Sequence, residues 1–147
     1  MTFKSVYEDT RNPVEVLDVL SDPKACQILE RTYVANNDGV EGHVIANHAN
    51  LSPSGFYRLT LFLREQNMIE KKNQKYFITV FGRAVYNAKR LLQKAIDNYH
   101  KLKVIDFLEE QDQIPESELN KIIDICIDDH QLKDILNARK NSGSCNG

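Results

Sequence analysis

The sequence predicts a mainly α-helical fold with one small β-hairpin, a long helix after the hairpin and extra helices near the carboxyl end. Three observations carry this prediction. Apolar residues recur at helical spacing along much of the 147-residue chain. A capping residue stands directly before proline at three places, a pattern typical of helix starts. Residues 68–79 place aromatic and β-branched residues on both sides of a short polar turn, as hairpins do.

The composition is that of an ordinary globular protein, with 41% hydrophobic and 27% charged residues. No apolar run approaches the roughly 18 residues that a membrane helix needs. The first residues also lack the apolar centre of a secretory signal, so we expect a cytoplasmic protein without a membrane partner. The three cysteines, Cys26, Cys126 and Cys145, lie far apart, which favours reduced thiols over a disulfide framework.

Charge is distributed unevenly along the chain. The net charge is −2, but residues 43–90 contain eight basic and two acidic residues, a net of +6. Residues 106–136 contain ten acidic and two basic residues, a net of −8. A nearly neutral total therefore conceals a basic middle, which suits a polyanionic partner, and an acidic end, which we interpret as solvated helix faces.

Two helices are predicted before residue 40. Asn12 precedes Pro13 and starts a short helix, because asparagine caps a helix and proline suits its first turn. Asp22 and Pro23 repeat the signal and start a second helix with apolar residues at helical spacing. The polar run 36–39, which ends in glycine, stops this second helix.

A short helix and a longer one are predicted next. Residues 43–50 can form two helical turns, and Ser52 with Pro53 begins a helix that continues to about Gln66. Asn67 then tolerates the left-handed conformation that ends many helices. The apolar positions predicted to be buried on this helix are Phe56, Leu59, Phe62 and Leu63.

A hairpin follows this helix. Met68 to Glu70 begins a strand, Lys72 to Gln74 forms a polar turn, and Lys75 to Thr79 returns as an aromatic and β-branched strand. Two strands this short are marginal alone and must pack on the helices.

A long helix is predicted from Thr79, a suitable cap, to about Glu110. Apolar residues recur along it in a heptad rhythm at Val85, Ala88, Leu92, Ala95, Tyr99 and Leu102. Such a helix spans roughly 45 Å at 1.5 Å per residue, more than a domain this small can cover. We therefore expect the six residues to join two copies of the chain; packing against the chain's own terminal helices is the alternative.

The remaining residues predict acidic helices over 115–140. Pro115 and the glutamates after it start the first, and Asp128 with Asp129 restarts the helix. The final residues, 141–147, are rich in glycine, serine and asparagine, and we expect them to be disordered.

The order of elements and several short motifs together resemble a winged helix-turn-helix. Its helix-turn-helix part resembles that of bacterial and archaeal transcriptional regulators at Ile45-Ala46, Leu51-Ser52, Phe56-Tyr57-Arg58, Leu63 and Met68-Ile69. Residues 76–82 are similar to the end of the wing in those proteins, where threonine and glycine lead into a long helix. Leu20 to Pro23 with Ile28-Leu29 resembles the first helix of arsenic-type (ArsR) repressors, and the long helix resembles that of the multiple-antibiotic-resistance (MarR) type and its archaeal relatives.

The resemblance implies a sequence-specific regulator that binds double-stranded DNA as a homodimer at a near-palindromic site. It assigns residues 12–82 to the DNA-binding domain and 80–111 to the dimerisation helix. The helix over about 53–66 would read the major groove, and the wing, residues 70–76, would lie on the backbone or minor groove. The implied DNA-binding residues are Ser52, Ser54, Gly55, Tyr57, Arg58, Lys71, Lys72, Asn73 and Lys75.

A second function class remains open. Leu59, Leu61 and Phe62 stand where the resembled family has polar or basic residues, so an alternative is a winged-helix module that binds another protein through this apolar face. We expect no enzyme and no cofactor, because the sequence lacks a glycine-rich phosphate loop and the common hydrolase motifs. We also expect no metal, since His43 and His48 are five residues apart and no cysteine is near. A small-molecule effector is left undefined.

Overall fold

The computed structural model describes residues 12–141, with the side chains of residues 12–138. Of the expected disordered tail, residues 141–147, Asn141 is the last residue of a helix, and residues 142–147, with Cys145, lie outside the described residues. The chain divides into two compact units, an amino-terminal unit that ends at Asn87 and a carboxyl-terminal unit that begins at Ala88. The described residues are mainly helical and include one three-stranded antiparallel sheet, as the sequence predicts in outline.

The first two helices begin at the predicted caps. Helix α1 covers Pro13–Ser21, and the Asn12 side chain accepts a hydrogen bond from the backbone N–H of Val14. Helix α2 covers Pro23–Ala35, and Asp22 accepts from the backbone N–H groups of Lys24 and Ala25. Each cap occupies donors that the first helical turn leaves without a partner.

Helix α3 covers Gly42–His48 and helix α4 covers Pro53–Glu65. Between them, Asn50 is left-handed, with φ 51°, and its backbone N–H donates to the Asn47 carbonyl at 3.3 Å. The next N–H, that of Leu51, donates to Ala46 O at 2.9 Å. These two bonds form a Schellman motif, which closes α3 and turns the chain sharply into α4.

The same motif closes α4. Asn67 is left-handed, with φ 57°, as predicted, and its N–H donates to Arg64 O at 2.9 Å. The N–H of Met68 donates to Leu63 O at 3.0 Å, and the side chains of these two residues are fully buried. The buried contact between them is the apolar part of the motif and directs the chain into the sheet.

The sheet has the strand order β1-β3-β2, with β1 Val40–Glu41, β2 Ile69–Lys72 and β3 Lys75–Ile78. The hairpin lies where it was predicted, but the turn is shorter, because Lys72 belongs to β2. The two turn residues, Asn73 and Gln74, both have positive φ. A two-residue turn of this kind matches the natural twist of a hairpin. Strand β1 is not predicted by the sequence; it exists because it pairs with β3.

The core of the amino-terminal unit joins α2, α3, α4 and the sheet. Leu59 is 2% exposed and Leu63 is fully buried, as predicted. The prediction that Phe62 is buried is wrong, because this side chain is 36% exposed. Thr60 takes the inward position instead, and its hydroxyl donates to the Phe56 carbonyl at 2.8 Å. A buried hydroxyl bonded in this way leaves no unpaired donor in the core.

The predicted single helix after the hairpin is two helices, α5 over Val80–Asp97 and α6 over Tyr99–Glu109. The interruption is Asn98, whose ψ is 14° and whose side-chain amide donates to Lys94 O at 2.8 Å. Side-chain amides that bond to the helix backbone in this way compete with helical geometry, which explains the interruption. The start is as predicted, since Thr79 Oγ1 accepts from the N–H of Gly82 at 2.9 Å.

The carboxyl-terminal unit has a core of its own. Helices α7, Glu116–Cys126, and α8, His130–Asn141, begin close to the predicted starts. Their apolar sides enclose a cluster of buried residues: Ile105, Leu119, Ile123, Ile127, Leu132 and Leu136. Asp129 stands at the start of α8 and accepts from the N–H of Leu132 at 3.1 Å.

Asp129 also pairs with a lysine on α5. The distance from Asp129 Oδ2 to Lys94 Nζ is 2.5 Å. The hydrogen bond from Lys94 is the main cause that holds the pKa of Asp129 below its usual value, and the backbone N–H groups of Leu132 and Gln131 act in the same direction. This carboxylate therefore joins α5 to the start of α8 within the unit.

Candidate nucleic-acid interface

The residues predicted to contact DNA from α4 lie on its exposed side. Ser52 is the cap, and its Oγ accepts from the N–H of Gly55 at 3.2 Å. Ser54 and Arg58 are exposed, and Tyr57 is 67% exposed. Among the described residues, Arg58 has no ion-pair partner, so its guanidinium is available to a ligand.

The hairpin lysines point to two different faces. Lys71 pairs with Tyr76 across the strands, and its Nζ lies 5.7 Å from the centre of the Tyr76 ring. Lys72 and Lys75 face each other in the next register position, so they lie on the opposite face. Lys72 Nζ is 3.0 Å from Glu70 Oε1. Lys71 is consequently the hairpin cation on the face that meets the helices.

A concavity of about 540 Å³ connects the hairpin to α3 and the start of α4. Its lining includes Pro53 and Phe56 from α4, and Lys71, Gln74 and Tyr76 from the hairpin. The rings of Phe56 and Tyr76 meet edge to face at 5.6 Å. This aromatic contact fixes the position of the hairpin against α4, so the predicted reading helix and the predicted wing border one surface.

Sequence reasoning missed the part of this surface that α3 contributes. His43 and Asn47 line the concavity, and Gln74 joins them from the turn. The ring Nδ1 of His43 lies 3.3 Å from Glu41 Oε2. Gly42 allows the approach of α3, because a Cβ there would stand 3.0 Å from Phe56 Cζ. The pair Gly42-His43 at the start of α3 was the sequence feature that could have indicated this contribution.

The outer side of α4 carries a second, more apolar pocket of about 500 Å³. It is lined by Tyr57, Arg58, Leu61, Phe62 and Glu65. Leu61 and Phe62 are each 36% exposed. The apolar face considered for a protein partner thus keeps two of its three residues, whereas its third, Leu59, belongs to the core.

The six residues predicted for dimerisation do not form one surface. Val85 belongs to the core of the amino-terminal unit, and Ala95 and Leu102 pack on the core of the carboxyl-terminal unit. Ala88, Leu92 and Tyr99 are exposed. The six residues at 4-3 spacing are therefore distributed between two intramolecular cores and the solvent-exposed surface.

No group of three or more histidine, cysteine, aspartate or glutamate side chains within residues 12–138 could hold a metal ion. In the described helices, no segment has both the length and the apolar character that crossing a membrane requires. Cys26 and Cys126 carry free thiols, and Cys26 is buried.

Comparison with protein-family models, with curated proteins and with solved structures found no match to this chain.

Proposed function

We propose that the chain is a transcriptional regulator of the winged helix-turn-helix class that binds double-stranded DNA in the cytoplasm. The observation that carries the proposal is the concavity that α4 shares with the hairpin, which Lys71 lines. Arg58 lies exposed on the outer side of the same helix, and both cations belong to a segment of net charge +6. In this proposal α4 enters the major groove, which admits one helix, and the hairpin lies along the backbone or minor groove.

The chemistry of the two elements fits separate tasks. Arg58 can donate two hydrogen bonds to one guanine edge or to a phosphate, whereas the lysines act as point charges on phosphates. Lys71 is unpaired by any carboxylate among the described residues, whereas Lys72 would have to exchange Glu70 for a phosphate. We therefore expect Lys71 to contribute more to binding than Lys72.

Binding to random duplexes at low salt, followed by selection of the bound sites, tests the proposal. Affinity should fall steeply with salt, and each lost phosphate contact should lower the slope of log K against log salt by about 0.9. Arg58→Ala should weaken binding and relax base preference, whereas Lys71→Gln should weaken binding evenly across sequences. Lys121→Gln removes the same charge from an exposed position on α7 and is the matched control. The proposal fails if no duplex is bound at low salt.

We further propose that the regulator is a homodimer, joined through a different face from the predicted heptad. Leu92 and Ile96 on α5 and Tyr99 and Phe107 on α6 are each more than half exposed. Leu92 and Ile96 are four residues apart on α5, and Tyr99 and Phe107 are eight apart on α6, so each pair lies on one side of its own helix. These four residues are called the apolar stripe. Basic Lys89 lies before one end of this stripe and acidic Glu110 after the other. An antiparallel second copy would bring opposite charges together.

The dimer is tested by sedimentation at micromolar concentration. Ile96→Lys should convert a dimer into a monomer, because it places a charge in the apolar stripe. Gln93→Lys, at a neighbouring exposed position outside the stripe, adds the same charge and should leave the dimer intact. A wild-type protein that sediments as a monomer contradicts this part of the proposal and leaves DNA binding to be judged separately.

A protein-binding module is the second candidate. The observation in its favour is the apolar pocket on α4, where Leu61 and Phe62 are partly exposed beside Tyr57. Leu59 takes no part, because its side chain is buried. The following experiment distinguishes a protein partner from DNA at this face.

A further inference from the structure

The outward face of α4 is unusual for a helix that enters a DNA groove, because its middle is apolar. Tyr57 is 67% exposed, and Leu61 and Phe62 are each 36% exposed. Arg58 is the one cation that lines the same pocket. We propose that this face recognises thymine through its C5 methyl group, so that the DNA bound carries thymines next to the base pair that Arg58 contacts. This inference rests on the proposed DNA binding.

The chemistry of the major groove leads to thymine by elimination. Guanine, adenine and cytosine present only hydrogen-bond donors and acceptors there, whereas thymine adds a methyl group. Leu61 and Phe62 cannot replace the water that a polar base edge loses, so contact with such an edge would leave buried groups unpaired. A thymine methyl group is the one major-groove feature that gains from burial against these side chains.

The spacing of the side chains defines where the thymines should lie. Leu61 is one helical turn beyond Tyr57, and Phe62 is one turn beyond Arg58. One turn advances about 5.4 Å, and base pairs are stacked about 3.4 Å apart. We therefore expect the thymines within about two base-pair steps of the guanine or phosphate that Arg58 contacts.

Charge favours DNA over a protein as the occupant of this face. The helix that carries the apolar side chains also carries Arg58 and Arg64, and the basic hairpin follows it in the same unit. Glu65 is the acidic member of the lining, but it lies at the last residue of α4 and has a partner of its own within the protein. A polyanion with methyl groups in its groove satisfies both the charge and the apolar surface.

Deoxyuridine provides the test, because it lacks only the methyl group of thymine and keeps every hydrogen-bonding atom. Bound duplexes are first selected with the full chain at low salt. Each thymine is then replaced by deoxyuridine in turn. We expect about fourfold weaker binding at one or two positions, the effect of removing one buried methyl group.

The variants Leu61→Ala and Phe62→Ala connect the loss to this face. Each should bind the thymine site more weakly than the wild type and should lose its sensitivity to deoxyuridine. Lys121→Gln is the control, since its side chain is exposed on α7 in the carboxyl-terminal unit, and it should keep the full sensitivity. Circular dichroism and thermal unfolding establish that the variants are folded.

The outcomes separate the inference from the proposed function. If the wild type binds no duplex, the proposed function fails and the inference falls with it. If duplexes are bound but deoxyuridine has no effect at any position, thymine recognition is overturned while DNA binding stands. If Leu61→Ala and Phe62→Ala bind DNA like the wild type with unchanged sensitivity, the inference is also overturned, because the face then takes no part in thymine recognition.

Discussion

Replacing Gly82 by alanine should destabilise the amino-terminal unit, although alanine is the better helix former. Gly82 lies in the first turn of α5, where Thr79 caps it. A Cβ at this position would stand 2.1 Å from the carbonyl oxygen of Met68 and 2.9 Å from Ile78 Cγ1. That carbonyl cannot move freely, because it accepts a hydrogen bond from the N–H of Thr79 at 3.0 Å. The Thr79 hydroxyl, which donates mainly to Asn67 O at 2.6 Å, also lies 3.1 Å from it.

The expected magnitude follows from opposed effects. The alanine gains at most about 1 kcal/mol of helix propensity. Overpacking against a fixed backbone costs about 1–3 kcal/mol, and each weakened hydrogen bond adds about 1 kcal/mol. The steric cost wins, and we expect a net loss of about 2–3 kcal/mol in the free energy of unfolding.

Urea denaturation measures this loss, and hydrogen exchange at the core amides of Ile28 and Leu63 assigns it to the amino-terminal unit. Gly55→Ala is a closely matched control. Gly55 occupies the same position in α4, capped by Ser52 in the same way, and a Cβ there meets only Ser52 Oγ at 3.1 Å and Leu51 Cδ2 at 3.8 Å. It should change stability by less than about 1 kcal/mol. Equal effects of the two substitutions would refute the steric argument.

Two further predictions concern the cores of the two units. Leu59→Ala should lower the free energy of unfolding by about 2–5 kcal/mol, as expected for a buried leucine. Leu61→Ala, on the exposed side of the same helix, should lower it far less. Similar losses for the two variants in urea denaturation would contradict the faces assigned to them. Asp129→Asn keeps the helix cap but removes the charge that Lys94 pairs with. Because the pKa of Asp129 is lowered in the folded protein, its stabilisation is complete above the ordinary aspartate pKa and is lost as the pH falls through the lowered value. The stability difference between wild type and Asp129→Asn should therefore be present at neutral pH and shrink below about pH 4. Thermal unfolding measured across pH tests this. A difference that persists in acid would show that the ion pair is not its cause.

The helix starts could be predicted from sequence because their causes are local. Asn12, Asp22, Ser52 and Thr79 each bond to a backbone N–H two or three residues further along the chain. A capping side chain needs no distant partner, so a short stretch of sequence contains the whole signal. The left-handed Asn67 was predictable for the same reason.

The features that depend on distant residues could not be predicted in this way. Strand β1 has two residues and exists only through its pairing with β3. The heptad series suggested one surface, but a 4-3 spacing is equally compatible with burial in two successive cores, which is where Val85 and Ala95 lie. Phe62 was expected to be buried, but the inward position is taken by Thr60, which can be buried because its hydroxyl bonds within its own helix. The part of the candidate surface that α3 contributes and the division of the hairpin lysines between two faces depend on tertiary packing and on strand register, so neither could be predicted from a short stretch of sequence.

Lys71 and Lys72 lie on opposite faces of the hairpin, so the length of its strands determines which lysine faces the concavity. Adding one residue to β2 between Ile69 and Lys71 and one to β3 between Tyr76 and Ile78 would exchange the faces of the two lysines, because side chains alternate along a strand and the buried Ile69 and Ile78 hold the base of the hairpin. Lengthening each by two residues would restore the faces and extend the reach by about 7 Å. Odd insertions would thus change which cation meets the concavity, and even insertions would change only how far the hairpin extends.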